Sequence, residues 1–373
     1  MSNATVMEPG SVLLYPNRPQ EPEHERVVHG ELARRLAALQ DLRFAGDYDP
    51  AGCPAGRLYL VPSDTLIGRN EPQRLGLRGE QDLFGGAVPH AFMATKVISH
   101  SLLHSDAVAP AGWSADFPAR VQGCVLAGFS VFSLADARIA GERLLERGPV
   151  RLKPVRATAG RGQLMIRDRR ALARALDALD QAELSTHGLV LEEHLEQVVT
   201  YSVGQVRVAD LQASYHGTQR LTRDNAGQCV YGGSDLVLVR GGFDALLGLE
   251  LDLDVRQVIA QAQVYDQAAS DCFPGFFASR RNYDIARGLD DRGQSRCGVL
   301  EQSWRIGGAS SAEVAALQAF RGEHGPRVVR AASLELYGEG QALPPEAELL
   351  FQGLDAEVGF ISKAVRVQPY GDA

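Results

Sequence analysis

Lysine is the rarest charged residue in this chain of 373 residues. It occurs at Lys96, Lys153 and Lys363, so that 35 of the 38 basic residues are arginine. A compact ammonium on a flexible stem contacts phosphate oxygens as a point charge, a task that differs from the bidentate work of arginine. The lysines are therefore candidate phosphate ligands. Codon bias, which would leave them at random positions, is the competing interpretation.

Cysteine is also sparse, and its spacing excludes two classes of protein. The five cysteines include no Cys-x-x-Cys pair, which argues against a disulfide framework and against a cysteine zinc site. We expect a reduced, cytoplasmic protein in which each cysteine is a buried small hydrophobe. The cysteines are Cys53, Cys124, Cys229, Cys272 and Cys297.

Long apolar runs and basic blocks are absent. No run reaches the roughly 18 residues that indicate a membrane span, and residues 1–10 lack the pattern of a signal peptide. The net charge is −8 and the arginines are scattered, which argues against nucleic acid as a partner. We therefore expect no membrane and no nucleic acid partner; a homodimer is compatible with the composition.

Familiar nucleotide and hydrolase motifs are missing. No Gly-x-Gly-x-x-Gly follows the first predicted strand, and the chain has neither a Walker A sequence nor Gly-x-Ser-x-Gly. A short helix is predicted over 95–103. His100 and His104 have helical spacing near its end, but no Glu lies between them as in a zinc protease. A surface pair is the favoured interpretation of these histidines.

The order of apolar segments predicts a mixed α/β (α+β) fold. A strand over 11–15, a helix over 25–39 and strands over 42–45 and 57–61 indicate an N-terminal α/β domain. Further along, the patterns predict antiparallel strands, with a turn at 224–227, and several helices. The predicted strands are 201–208, 213–221, 229–231, 236–239, 298–301, 333–337 and 347–351; the predicted helices are 133–147, 169–179, 255–270 and 311–320.

A small-residue loop follows the strand that carries Lys153. Gly160, Arg161 and Gly162 lie in this loop, and glycine lets backbone N–H groups approach phosphate oxygens closely. Many hairpins contain Gly-Arg-Gly, so the loop alone is not specific for phosphate. The neighbouring Lys153 is what favours a phosphate site. The sequence predicts a phosphate site here.

Two carboxylates, Asp284 and Glu301, fall on neighbouring predicted strands. Such a pair suits Mg²⁺, which favours one or two carboxylates together with phosphate oxygens and water. The alternative is a solvated Asp and a salt-bridged Glu, because charged residues mostly lie on surfaces. Glu301 directly follows an apolar Gly-Val-Leu segment, which favours the metal interpretation.

A second glycine turn follows Arg305. Gly307 and Gly308 precede a helix whose Ser310 and Glu313 have capping-box spacing, so an ordinary capped helix is the alternative to an anion site. We favour Arg305 and the glycine backbone as substrate ligands. The arginines at 240, 280 and 281 are further candidates for gripping a carboxylate, and surface ion pairs explain them equally well.

Taken in order, these residues resemble the ATP-grasp superfamily of ATP-dependent carboxylate–amine (or carboxylate–thiol) ligases. The chain looks most like a bacterial branch of it that is known as a domain of unknown function. The order comprises Lys96, Lys153 with its glycine loop, Glu192-Glu193-His194-Leu195 after a strand, Asp284, Glu301-Gln-Ser303 and Arg305. The core of the resemblance covers residues 91–332.

The resemblance implies a role for each of these positions. Lys96 and Lys153 would hold ATP phosphates under a loop of Gly160, Arg161 and Gly162, with Lys153 and Arg305 as catalytic residues. The hinge of Glu192, Glu193 and Leu195 would contact adenine. Asp284, Glu301 and Ser303 would bind Mg²⁺, although the family usually has Asn where this chain has Ser303. Arg281, Arg305, Gly307 and Gly308 would bind substrate.

The resemblance also implies domains and chemistry. We expect an N-terminal domain over 1–92, ATP-grasp subdomains over 93–195 and 196–332, and a β-rich C-terminal extension over 333–373. ATP and Mg²⁺ would be the cofactors, with small-molecule carboxylate and amine substrates and an acylphosphate intermediate. The alternative is a non-catalytic nucleotide-binding or scaffold protein on the same fold, which the departure at Ser303 favours.

Overall fold

The computed structural model describes residues 10–52, 54, 56–156, 162–322 and 324–371. The α-helices in this part are α1 Glu23–Leu39, α2 Glu71–Arg74, α3 Asp116–Val121, α4 Leu134–Leu145, α5 Arg169–Asp177, α6 Gln181–His187, α7 Phe243–Leu247, α8 Leu253–Cys272 and α9 Ser310–Phe320. The strands are β1 Ser11–Tyr15, β2 Arg43–Asp47, β3 Leu58–Pro62, β4 Leu66–Ile67, β5 Gly86–Val88, β6 Gly128–Val131, β7 Val150–Pro154, β8 Leu164–Ile166, β9 Leu189–Glu193, β10 Glu196–Val208, β11 Leu211–Arg223, β12 Cys229–Arg240, β13 Phe277–Ala278, β14 Arg280–Leu289, β15 Ser295–Ser303, β16 Val328–Tyr337, β17 Glu348–Asp355 and β18 Gly359–Pro369.

The N-terminal region is a small parallel α/β unit, as predicted. Strand β1 lies between β2 and β3 in one sheet. Helix α1 buries Val28, Leu32 and Leu36, which recur at helical spacing, against the sheet and against α9. The apolar face of α1 therefore fixes this unit to the rest of the molecule.

The central region is an antiparallel sheet of four strands in the order β6-β9-β7-β8. Helices α4 and α5 cover it through Ala137, Ala140 and Leu172. The predicted N-cap of α4 is confirmed, because the Ser133 hydroxyl accepts a hydrogen bond from the Asp136 N–H. This sheet places Lys153 on β7 and Glu192 on the adjacent β9.

The largest sheet has eight strands in the order β15-β14-β10-β11-β12-β16-β18-β17. Helix α8 packs on it through Val258, Ile259, Ala262 and Tyr265. The predicted turn after β11 is confirmed: the Gly227 N–H donates to the Asp224 carbonyl at 2.9 Å. Asp284 and Glu301 lie on β14 and β15 at one side of this sheet.

Strand β12 was predicted as two short strands, and that prediction is wrong. Its partner register skips one residue at Gly232, between the pairs Arg220–Gly233 and Leu221–Tyr231. The double glycine is therefore a β-bulge within one strand, with Gly233 at a φ of 125°, rather than a turn between two.

The C-terminal strands belong to the large sheet. The predicted pieces correspond to β16 and β17, but β18 was not predicted. The expected boundary after residue 332 falls inside β16, which pairs with both β12 and β18. Residues 333–371 therefore extend the sheet, and the division into domains stays a prediction.

Two local expectations need correction. Lys96–Ser99 form a single 3-10 turn rather than a helix reaching residue 103. Of the four cysteines in the described part of the chain, all free thiols, Cys124 is buried as expected, whereas Cys229 is exposed and Cys272 and Cys297 are partly exposed. Within the described ranges, no helix is long and apolar enough to cross a membrane.

Candidate active site

A cleft of about 1390 Å³ opens between the four-stranded sheet and the eight-stranded sheet. Lys96, Lys153 and Lys363 all line it, together with Asp284, Glu301 and Arg305. Lys363 belongs to the predicted C-terminal extension, outside the order of motifs, but β18 carries it into the same cleft. All three lysines of the chain therefore face one space.

Lys153 is held in a buried ion pair with Glu192. Strands β7 and β9 are neighbours, and the Lys153 ammonium contacts Oε1 of Glu192. Nε2 of His100 lies 3.2 Å from Oε2 of the same carboxylate. Burial alone would raise the pKa of Glu192, but Lys153 and His100 outweigh it and lower that pKa to about 2. The Glu192 carboxylate is therefore ionised at neutral pH.

His100 reaches Glu192 across a glycine. Gly128 on β6 is the register partner of Glu192, and a Cβ at position 128 would lie 2.8 Å from Cε1 of His100. The absence of a side chain there is what admits the imidazole ring. The interpretation of His100 and His104 as a surface pair is therefore wrong for His100, which is only 2% exposed.

Lys96 contacts the opposite wall of the cleft. Its Nζ lies 2.8 Å from Oε2 of Glu301 on β15. The Gln302 amide fixes the backbone before Lys96, donating to the carbonyls of Met93 at 2.8 Å and Thr95 at 2.9 Å. The short segment 93–100 thus carries Lys96, which is paired with Glu301, and His100, which contacts Glu192.

Asp284 and Glu301 are directly opposite one another on β14 and β15. Burial, and then the charge of Glu301, raises the pKa of Asp284, although hydroxyl and amide donors oppose the shift. Those donors include Ser202 at 3.1 Å and Asn282 at 2.8 Å. A β-bulge at Leu300 precedes Glu301. Crowded acidic oxygens of this kind suit a bound cation, which would relieve their repulsion.

No larger acidic cluster exists here. In the part of the chain that the structure describes, no three His, Cys, Asp or Glu residues are grouped to hold a metal. Two carboxylates with phosphate and water are nevertheless a sufficient set for Mg²⁺. The residues present therefore fit Mg²⁺ that arrives with a nucleotide better than a resident metal held by protein alone.

The side-chain hydroxyl of Ser303 is hydrogen-bonded to a buried arginine. Nη1 of Arg280 donates to the Ser303 hydroxyl at 3.1 Å and to the Arg305 carbonyl at 2.8 Å. Glu313 accepts from Nε of Arg280, at 3.0 Å for Oε2, and is fully buried. Because the Ser303 hydroxyl already accepts a hydrogen bond from a guanidinium, it is a weak metal ligand.

The capping-box interpretation of Ser310 and Glu313 is wrong. The carboxylate of Glu313 binds Arg280 and accepts a hydrogen bond from Tyr215 at 2.6 Å, and α9 begins without a side-chain cap. Arg280 is likewise a structural residue rather than a free substrate ligand. Sequence reasoning missed this pair because its members lie 33 residues apart and only the fold joins them.

Arg305 and the second glycine turn do line the cleft. Nε of Arg305 lies 3.6 Å from Oδ1 of Asp64, and burial lowers the pKa of Arg305. Gly308 lies against the ring of Tyr231, where a Cβ would approach Cε1 to 2.6 Å. The guanidinium of Arg305 stays protonated and is available to an anion.

Arg281 lies elsewhere. It follows Arg280 on β14 and so points to the opposite face, where Nη1 is 3.0 Å from both carboxylate oxygens of Asp266. The cleft lining does not include it, nor does it include Arg240. The expectation that Arg281 binds substrate at this site is not supported by its position.

The hinge residues lie beside a small apolar cluster. Leu126, Leu195 and Ala286 are buried together, with Leu300 packed against them, and all four line the cleft. The Glu193 N–H is already bonded to the Ala127 carbonyl at 2.8 Å. Gly162 has a φ of 69°, and Gly160 and Arg161 lie outside the described residues. The apolar cluster is a suitable surface for a planar base.

Residues 12–365 match the family described as protein of unknown function DUF3182. The chain belongs to this family. No curated protein matches the chain.

Solved structures show which fold the DUF3182 chain has. A phosphoribosylamine–glycine ligase from Thermotoga maritima aligns with a TM-score of 0.51 at 14% identity, covering 97% of this chain and 93% of that one. A biotin carboxylase from Campylobacter jejuni aligns with a TM-score of 0.50 at 10% identity, covering 97% and 88%. Both are ATP-grasp enzymes, and the predicted ATP-grasp fold is confirmed.

Proposed function

We propose that this DUF3182 protein is a Mg²⁺- and ATP-dependent ligase, which activates a small-molecule or peptide carboxylate as an acylphosphate for attack by an amine. The observation that carries the proposal is that two buried lysines are each held by a glutamate on opposite walls of one cleft, Lys153 by the buried Glu192 and Lys96 by the half-buried Glu301. The fold is consistent with it: the similar biotin carboxylases were solved with a β,γ-ATP analogue and with MgADP.

The nucleotide would bind between the two sheets. Its base would rest on the cluster around Leu126 and Leu195, and its phosphates would meet Lys96 and Lys153, which are only 5% exposed and already ordered by their glutamates. Ordered charges lose little freedom on binding, which favours affinity. The roles of Gly160, Arg161 and Gly162 as a phosphate-covering loop and of Glu193 as an adenine contact are part of this proposal.

Mg²⁺ would be held by Asp284 and Glu301 together with phosphate oxygens, and it would neutralise charge on the transferring phosphoryl group. The raised pKa of Asp284 indicates that its charge is under-compensated in the protein alone. We assign Ser303 a minor part at most, since Arg280 already occupies its hydroxyl.

The reaction has two balanced steps. A substrate carboxylate oxygen attacks the γ-phosphorus, the bond to the β,γ-bridging oxygen breaks, and ADP leaves. The amine then attacks the acyl carbon, phosphate leaves with the C–O electron pair, and the amine loses a proton to solvent or base. Arg305 would stabilise charge on the carboxylate and phosphoryl oxygens, and the Gly307–Gly308 backbone would position the substrate.

A non-catalytic nucleotide-binding protein is the second candidate. It is favoured by Ser303, whose hydroxyl accepts from Arg280, and by the small number of acidic groups near Asp284. Such a protein would bind MgATP tightly but would release no ADP with any acceptor.

A substrate-pool screen tests the proposal. The purified protein is incubated with MgATP and pooled carboxylates and amines, and ADP release is measured, followed by mass spectrometry of the product. Asp284→Asn and Glu301→Gln should each reduce release by about 10³-fold. Asp47→Asn, in a surface ion pair with Arg26, is the matched control and should leave release unchanged. Tight nucleotide binding with no ADP release from any pool would favour the binding protein instead.

A further inference from the structure

The cleft is larger than a nucleotide requires. Its volume of about 1390 Å³ exceeds the ~300–1,000 Å³ that is typical of a pocket for one small ligand. The groups already assigned to ATP and Mg²⁺ lie on β7, β9, β14 and β15, on the 3-10 turn that begins at Lys96, and in the loops of Leu126 and Leu195. The rest of the lining includes α1 and the residues before it, β16 and β18. This second part of the cleft is called the α1–β18 end below.

The α1–β18 end is charged with both signs. Nζ of Lys363 on β18 lies 2.9 Å from Oε1 of Glu335 on β16, and these two residues are direct cross-strand partners. Arg18 contacts Glu25 on the facing side. Arg305 and Asp64 form a looser pair at 3.6 Å. Each sign of charge is therefore present on more than one element of the lining.

These pairs act on one another across the gap between α1 and the sheet. Arg18 and then Lys363 lower the pKa of Glu25 against the opposing effect of burial. Burial and then Lys363 lower the pKa of His24, so this imidazole is neutral at pH 7 and adds no charge. The lining thus carries both signs of charge in three cation–carboxylate pairs, and Glu71 and Glu357 add further carboxylates to the cleft.

A lining that carries both signs of charge favours a ligand that also carries both. A simple carboxylate would bind Arg18 or Lys363 but would leave the nearby acidic side chains without a new partner. A polyamine would bind the acidic side chains but would leave Arg18 and Lys363 without one. A small molecule that carries both an ammonium and a carboxylate can exchange with both kinds of pair while keeping the net charge of the site unchanged.

We propose that the α1–β18 end binds an amino acid or short peptide, with its carboxylate on Lys363 and Arg18 and its ammonium on Glu335 and Glu25. This inference rests on the proposed function, since it names the class of one ligase substrate. It also assigns a role to the third lysine of the chain, which lies outside the order of motifs that locates the nucleotide end.

Calorimetric titration of the whole protein tests this, with and without a non-hydrolysable ATP analogue and Mg²⁺. The probes are the twenty common amino acids and glycylglycine, each compared with its deaminated acid and its decarboxylated amine. At least one zwitterion should bind 10-fold more tightly than both of its halves. If no zwitterion binds, or if a half binds equally well, the inference is overturned.

The double variant Lys363→Met/Glu335→Gln separates a ligand site from a structural ion pair. It removes both charges together, which avoids leaving one buried and unpaired. Zwitterion affinity should fall at least 10-fold while affinity for the nucleotide analogue, which reports on folding, stays within about twofold. Unchanged zwitterion affinity contradicts the inference. If the unmodified protein does not bind the nucleotide analogue, the proposed function is refuted. Zwitterion binding can still be measured in that case, so the two failures are distinguishable.

Discussion

The two ends of the cleft use the same kind of contact at different depths. At the nucleotide end, the side chains of Lys153 and Glu192 are 6% and 3% exposed, and His100 supports the pair from behind. At the α1–β18 end, the side chains of Lys363 and Glu335 are each 13% exposed, and those of Arg18 and Glu25 are 20% and 30% exposed. The contrast rests on Lys153–Glu192, because Glu301, the partner of Lys96, is 36% exposed. The deep pair is pre-ordered for a constant ligand, and the shallower pairs are free to exchange partners with a variable one.

The largest contrast between the ends should appear when one partner of a pair is removed. Glu192→Gln leaves Lys153 buried without its counter-charge, which should lower the free energy of unfolding by about 3 kcal/mol at pH 7. Glu335→Gln, in the more accessible pair, should cost about 1 kcal/mol. Urea unfolding of both variants measures this difference, and equal costs would remove the contrast.

The same pair predicts a pH dependence. The pKa of Glu192 is lowered from about 4.5 to about 2 by folding, so its stabilisation is fully present above pH 4.5 and is lost as the pH falls toward 2. The gap in unfolding free energy between the unmodified protein and Glu192→Gln should therefore narrow between pH 5 and pH 3. A gap that stays constant over this range would mean that the carboxylate is not stabilised in its ionised form.

A smaller effect on nucleotide affinity is expected from His100, which contacts the Glu192 carboxylate of the Lys153–Glu192 pair. His100→Leu removes the contact to Glu192 and should weaken affinity for the ATP analogue about 10-fold, because Lys153 loses its fixed partner geometry. His100→Gln restores a donor and should stay within about threefold. Calorimetry of the two variants distinguishes positioning from packing: equal losses would mean that His100 merely fills space. Zwitterion binding at the other end should be unaffected by either change.

The smallest effect is expected at Arg281. Its side chain binds Asp266 on the face of β14 that points away from the cleft. Arg281→Gln should change ADP release by no more than about twofold and the free energy of unfolding by about 1 kcal/mol. If Arg281→Gln instead causes a large loss of ADP release with normal stability, Arg281 acts at the substrate site after all.

The two ends also differ in how far the sequence could predict them. Lys153, Asp284 and Glu301 lie on predicted strands, and Lys96 lies on a short segment predicted as a helix. Their order along the chain carried the resemblance that grouped them into one site. Strand periodicity could even have found Asn282, which is two residues before Asp284 and so shares its face. The α1–β18 end joins residues near 18–25 with residues near 335–363, and no local pattern links such distant segments.

Partners of opposite charge explain two of the errors at the site. Glu313 matched a capping box in sequence, but the buried guanidinium of Arg280 offers it stronger, charge-assisted hydrogen bonds. His100 matched a surface helix, but a glycine on the neighbouring strand opens a path to Glu192. In both cases a long-range partner decided the role of the residue, and a single sequence does not reveal such a partner.

One matched titration tests the central claim that the nucleotide binds at the Lys153 end of the cleft. The double variant Lys153→Met/Glu192→Gln and its counterpart Lys363→Met/Glu335→Gln each lose one ion pair as a unit. Titrated with the ATP analogue and Mg²⁺, the first should lose at least about 100-fold in affinity, since it lacks a charged phosphate contact. The second should match the unmodified protein. Equal nucleotide affinity in the two double variants would contradict the account.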